Sequence, residues 1–190
     1  MKNIVVFASG SGTNAERIIT HFKNSDQAKV VAVFCNKPDA YVLTRAANHH
    51  IPSVTFNRED FYQTDTVLRK LAAYKADIIV LAGFLWLVPE SLVDAYPDRI
   101  INIHPALLPD YGGKGMYGMN VHKAVIAAKE PQSGITIHLV NKEYDKGEVL
   151  AQYITAIDAE DTPETLAEKI HQLEHQYFPE VIQSFIADNC

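Results

Sequence analysis

Cysteine is scarce: the 190 residues hold two, Cys35 inside an apolar run and Cys190 at the last position. Neither a disulfide framework nor a cysteine-rich metal site can be built from that pair. Long apolar runs are missing as well, so nothing in the sequence reads as a membrane-spanning helix. The opening MKNIVVFASG has too short a greasy stretch for a signal peptide and reads as a first strand, giving the expectation of a cytoplasmic protein. Positive charge is in deficit, with 17 Lys and Arg against 23 Asp and Glu and a net charge of −6. A broad nucleic-acid footprint needs clustered cations to displace counterions, so the balance leaves room only for a local basic patch. Internal repeats, linkers and low-complexity segments are absent.

What is present is core: 47% of the residues are hydrophobic, enough for one full domain over 1–190. Continuous Val- and Ile-rich runs at 3–8, 29–35, 76–83 and 99–104 have the signature of strands buried on both faces of a parallel sheet, with 51–56 a weaker, peripheral member. Helical patterns at 14–23, 40–49, 63–75 and 90–95 alternate with them. The expected fold is therefore α/β, an open, doubly wound, mostly parallel sheet of Rossmann-like form. SGITIHLV (133–140) and EVLAQYITAI (148–157), joined by NKEYDKG, suit a hairpin-like antiparallel extension. A long C-terminal helix follows, capped by Thr162 with Pro163 at its first position. Its apolar stripe reads Leu166, Ile170, Leu173, Tyr177, Val181 and Phe185. Pro179 is expected to kink it or break it in two.

Several short patterns carry possible chemistry. Gly10-Ser11-Gly12-Thr13-Asn14-Ala15 lies between the first strand and first helix, where backbone amides and a helix N-terminus can cradle an anion. It satisfies G-x-G-x-x-A, but the end of the second strand holds Cys35, Asn36 and Lys37 where a ribose-binding acid would stand in a nicotinamide site. A phosphate cradle and a simple tight turn both fit. Gly112-Gly113-Lys114-Gly115 fails the P-loop pattern at both ends and reads as a flexible loop. His171 and His175 are four apart on the last helix with no third ligand in view, and read as surface histidines rather than a metal pair. Trp86, in FLWLVP, could line a pocket or simply pack.

The stretch INIHPALLPDYGG (101–113) is more telling. Asn102 and His104 alternate at the end of an apolar strand, so they share a side, and the crevice beyond strand carboxyl ends is where open α/β sheets bind ligands. Asp145, in the turn before Lys146-Gly147, could bring a carboxylate to the same edge or be an ordinary turn residue.

Taken together, SGSGTN (9–14), LAGFLWLVP (81–89), IINIHPALLPDYGG (100–113), SGITIHLVNKEYDKGEVLAQ (133–152) and the EHQYFPEVI region (174–182) resemble the folate-dependent formyltransferases. The N-x-H-P-x-L-L-P stretch, with His138 and Asp145 seven residues apart, marks the superfamily. SGSGTN and the Glu174-His175 helix point to its phosphoribosylglycinamide formyltransferase family. The resemblance implies that Asn102, His104 and Asp145 are catalytic, and that Gly12, Thr13 and Asn14 bind the substrate phosphate. It also implies that Glu174 meets the substrate's glycine amine, and that Leu85, Trp86, Leu87, Val88, Arg58 and Asn102 serve the folate. GGKGMYGMNVH (112–122) is longer than the usual link in the family. Residues 1–103 would form the nucleotide-binding half, and 104–190 would carry the catalytic loop, the extension and the last helix.

The implied reaction moves a formyl group from N10 of 10-formyltetrahydrofolate, acting as co-substrate, to an amine through a tetrahedral intermediate, without a metal. Asn102 can give an amide hydrogen bond and His104 a charged one, with Asp145 expected to stabilise the imidazolium and so raise its pKa. The implied partners are glycinamide ribonucleotide and the formylfolate, with neither nucleic acid nor membrane, in a monomer or homodimer. A tRNA, a sugar nucleotide or water as acceptor remain alternatives, as does a non-catalytic nucleotide-binding module.

Overall fold

The structure, a computed structural model, describes residues 1–143 and 145–189, so the cysteine at position 190 lies outside it. Strands β1 (Lys2–Ala8), β2 (Ala28–Cys35), β3 (Ser53–Thr55), β4 (Ile78–Leu81) and β5 (Ile100–His104) run parallel, and β6 (Gln132–Leu139) and β7 (Val149–Ala156) add on antiparallel. The order is β3-β2-β1-β4-β5-β6-β7. The direction of winding reverses between β1 and β4, which opens a crevice at their carboxyl ends.

The two faces of the sheet explain the unbroken apolar runs. Ile4, Val6 and Ala8 of β1 point to one core, with α1 (Thr13–Phe22), α2 (Val42–Asn48), α6 (Met119–Ala127) and α7 (Pro163–Asn189). Val5 and Phe7 point to the other, with α3 (Arg58–Tyr62), α4 (Thr66–Ala73) and α5 (Glu90–Ala95). Every second residue is thus buried on one side and its neighbours on the other, as a doubly wound sheet requires.

Three expectations need correction. Where one helix is expected over 63–75 there are two short ones in succession, an additional helix over Arg58–Tyr62 and then the expected one, which covers only Thr66–Ala73. Asn57 starts the first with a reciprocal cap, its side chain accepting from the Asp60 amide at 2.9 Å while Asp60 accepts from the Asn57 amide at 3.1 Å. The Thr64 hydroxyl then accepts from the Thr66 amide at 3.2 Å, at the turn into the second. The second half of GGKGMYGMNVH is not loop but the start of α6, whose Val121 and Val125 are buried one turn apart.

The third correction concerns α7. Thr162 caps it as expected, accepting from the Thr165 amide at 3.2 Å. Pro179 does not break it in two: the helix is one element to Asn189, with Pro179 buried in it beside the buried Phe178 and Ile182. The stripe also drifts. Leu173, Tyr177 and Val181 are only half-buried, and the covered line runs through Leu166, Ile170, Glu174, Phe178, Ile182 and Ile186. A strict four-residue step turns about 40° around the helix each time, which suits one long helix crossing β6, α6 and α1 in succession.

Candidate active site

The carboxyl ends of β1, β4 and β5 open into a cavity of about 670 Å³. The loops above β1 and β4 are tied together. Ser9 donates its amide to the Gly83 carbonyl at 3.1 Å and its hydroxyl accepts from the Leu85 amide at 3.1 Å.

The chemical centre lies on the β5–β6 pair. In this antiparallel ladder Asn102 stands opposite His138 and His104 opposite Thr136, so the four side chains share a face. The Asn102 amide nitrogen donates to His138 Nε2 at 3.1 Å. That direction follows from His138 Nδ1, which donates to the Leu139 carbonyl at 2.8 Å and leaves Nε2 as the acceptor. His104 Nε2 donates to the Tyr111 carbonyl at 2.8 Å. A carbonyl can only accept, so in the neutral ring the lone pair sits on Nδ1. Thr136 fastens the intervening loop, its hydroxyl donating to the Ala106 carbonyl at 2.7 Å and accepting from the Leu108 amide at 2.9 Å.

Asp145 is brought to the same place by a left-handed turn residue, with φ +52°. One oxygen lies 3.7 Å from His104 Nδ1 and the other 3.7 Å from His138 Nε2. The first also accepts from the Gly113 amide at 2.8 Å. Gly147 allows this return: a Cβ there would fall 2.6 Å from the Leu139 carbonyl carbon. Burial pushes the Asp145 carboxyl up, but His138, the Gly113 amide and His104 outweigh it and hold the group below its usual range. For His104 the expected rise is reversed. Its imidazole is 4% exposed, and burial lowers its pKa more than Asp145 and the Tyr111 hydrogen bond raise it.

A second arm runs to α1. Gly12 is its N-cap at φ +77°, and a Cβ would come within 2.8 Å of the Val42 Cα, so only glycine fits. The first helical bond is Glu16 amide to Gly12 carbonyl, which leaves the amides ahead of it free to face an anion. Asn14 donates through Nδ2 to the Glu174 carboxylate at 2.8 Å, and its Oδ1 is enclosed without a partner among the described residues. Glu174 is 6% exposed. Burial raises its pKa against the opposing pull of Asn14 and His171. His171 and Lys37 line the same cavity.

The third arm is apolar. Leu85, Trp86, Leu87 and Val88 all line the cavity, with Trp86 packed against Phe56, Phe61, Tyr62 and Phe84 at centroid distances of 5.8–6.2 Å. Trp86 therefore both packs and lines. Arg58 is set apart: its guanidinium lies 4.8 Å over the Trp86 ring, in an adjoining cleft with Asn36 and Asp60. Eleven of the twelve positions singled out for the site line this one cavity, and Arg58 alone stands outside it, across the indole.

Two residues of the site were missed. His138 was noted only for its spacing from Asp145, and its place opposite Asn102 depends on strand register. His122 lines the cavity from α6, whose apolar i, i+4 pair Val121 and Val125 was the available signal. His175 is half-buried, with Nε2 enclosed and unpartnered among the described residues, which corrects its reading as a surface residue; His171 is exposed. Among the described residues no group of three His, Cys, Asp or Glu is placed to hold a metal ion, and no helix is long and apolar enough to cross a membrane.

Residues 2–182 match the formyl transferase family. The chain is 38% identical to phosphoribosylglycinamide formyltransferase of Bacillus subtilis, covering 100% of this chain and 97% of that protein. It is 42% identical to the chloroplastic phosphoribosylglycinamide formyltransferase of Arabidopsis thaliana over 95% of this chain, but spans only 64% of that protein's length. Among solved structures, glycinamide ribonucleotide transformylase 1 from Geobacillus kaustophilus superposes with a TM-score of 0.89 at 36% identity, covering 98% of this chain and 99% of that one.

Proposed function

The chain belongs to the formyl transferase family, and we propose that it transfers the formyl group of 10-formyltetrahydrofolate to the glycine amine of N1-(5-phospho-D-ribosyl)glycinamide. The products are the N-formyl ribonucleotide and tetrahydrofolate, a step of de novo purine biosynthesis. The observation that carries this reading is the junction of three unlike arms in one cavity: an amide cradle with the buried Asn14–Glu174 pair, an apolar wall at 85–88, and His104 with Asp145 between them.

The amine attacks the formyl carbon, a C–N bond forms, and the carbonyl oxygen takes up negative charge. Asn102 supplies an amide hydrogen bond to that oxygen. The neutral His104, with its lone pair on Nδ1, accepts the proton the amine sheds, and the resulting imidazolium is stabilised by Asp145. The proton then passes to N10 as its bond to the formyl carbon breaks. Gly12, Thr13 and Asn14 hold the phosphate, Glu174 orients the amine, and Leu85, Trp86, Leu87 and Val88 take the pterin, with Arg58 and Asn102 completing the folate site. On this reading 1–103 is the nucleotide-binding half and 104–190 the catalytic half of one domain, working in the cytoplasm as a monomer or homodimer.

The test is acceptor choice. With 10-formyltetrahydrofolate, tetrahydrofolate should appear in step with glycinamide ribonucleotide and far more slowly with tRNA, a sugar nucleotide amine or water. Equal turnover with water alone would overturn the assignment.

A further inference from the structure

The mechanism above leaves His122 without a task. The residue is 3% exposed, lines the cavity from α6, and its Nδ1 is enclosed with no hydrogen-bond partner among the described residues. Enclosed atoms of this kind are few in native proteins, and this one, closed off from the cavity, bears on the tautomer of the ring rather than on a ligand. An orphaned N–H is rarer than an orphaned acceptor. The ring's one proton therefore belongs on Nε2, which makes Nε2–H the group His122 can offer.

Its surroundings say to what. Burial, then His171 and His104, push the imidazole down to about 4, so it is neutral at physiological pH. His171, on the helix that carries Glu174, and His104, at the chemical centre, line the same cavity as His122. A substrate stretched between cradle and reaction centre presents its sugar and amide there, and those carry neutral oxygens, the proper partners for an uncharged donor.

We propose that His122 is a substrate-binding residue, whose Nε2–H hydrogen-bonds an uncharged oxygen of the ribosylglycinamide unit. The proposal rests on the functional reading above. It differs from a packing role in what a side chain of similar bulk can replace.

Steady-state kinetics and calorimetric binding of glycinamide ribonucleotide are to be measured for the parent, His122→Leu and His122→Gln. The Leu variant keeps bulk and loses the donor; it should weaken ribonucleotide binding by about five- to tenfold, the scale of one net hydrogen bond. Its kcat and its KM for the folate should stay within about twofold by the same reasoning. The Gln variant, which keeps an N–H donor, should recover most of the loss. Equal binding by parent and Leu, or equal weakening in Leu and Gln, would overturn the assignment. A parent that bound no ribonucleotide would overturn the functional reading and this one with it. A measurement on the parent alone guards against a variant that fails to fold. The side-chain ¹⁵N resonances of His122 should move on adding the ribonucleotide, and unmoved resonances at saturation would equally overturn the proposal.

Discussion

The two faces of the β5–β6 pair are built from the same two strands and do opposite things. On one, Ile101, Ile103, Ile135 and Ile137 are buried in hydrocarbon beneath α6 and α7. On the other, Asn102 bonds to His138, and His104 and Thr136 bond to loop carbonyls, with His104, Thr136 and His138 just as buried as the isoleucines. Alternation along the strand separates the two by one residue. The lesson is that burial alone does not distinguish scaffold from chemistry. What distinguishes them is whether the buried atoms need partners, and whether those partners could also come from a ligand.

The largest effect should come from breaking the polar face. His104→Ala should lower kcat by about 10²–10⁴-fold, the scale of a lost general acid–base group, in protein that still folds. Asp145→Asn should lose roughly 10²-fold by the same route, and the double variant should not multiply the losses, because the pair acts as a unit. Asp145 is the main group raising the His104 pKa against burial, so its neutralisation should move the acid limb of kcat/KM to still lower pH. A limb that stayed in place would separate Asp145 from His104.

The apolar face should fail differently. Ile137→Ala leaves a cavity and should cost about 2–5 kcal/mol of stability in denaturant titration, while the folded fraction keeps near-parental kcat. A kcat that fell as far as in His104→Ala would erase the distinction between faces. Next in size is Gly12→Ala, at the end of β1. It combines an unfavourable φ with a clash on Val42, and should raise the ribonucleotide KM by about tenfold by distorting the cradle, leaving the folate KM unchanged. The smallest effect is expected at the helix covering the apolar face. Thr162→Ala removes the α7 cap and should lower stability by about 1 kcal/mol, measured as a shift in denaturation midpoint at constant m, with no kinetic change.

Legibility in the sequence followed the range of the interactions. The core strands were legible because each is a continuous Val/Ile run, and the α7 cap because Thr162 and Pro163 are adjacent in sequence. The pairing of Asn102 with His138 was not, because it depends on an antiparallel register between segments 36 residues apart. Helix α6 was hidden by the glycines before it, which read as loop continuing through the helix start. The stripe on α7 was misdrawn from Leu173 onward for a different reason: hydropathy marked Leu173 and Tyr177 as core, whereas the neighbours of the helix bury Glu174.

The sequence by itself determined the doubly wound sheet, its core strands and the kinds of side chain at strand ends, because these rest on periodicity and on adjacent residues. It also carried the family, through short stretches spread along the chain. Only the tertiary structure decided that His104 is held with low proton affinity rather than high. That outcome is a contest between burial and a carboxylate 41 residues away, and its sign depends on how tightly the Tyr111 loop closes over the ring and on a 3.7 Å separation that no local pattern encodes.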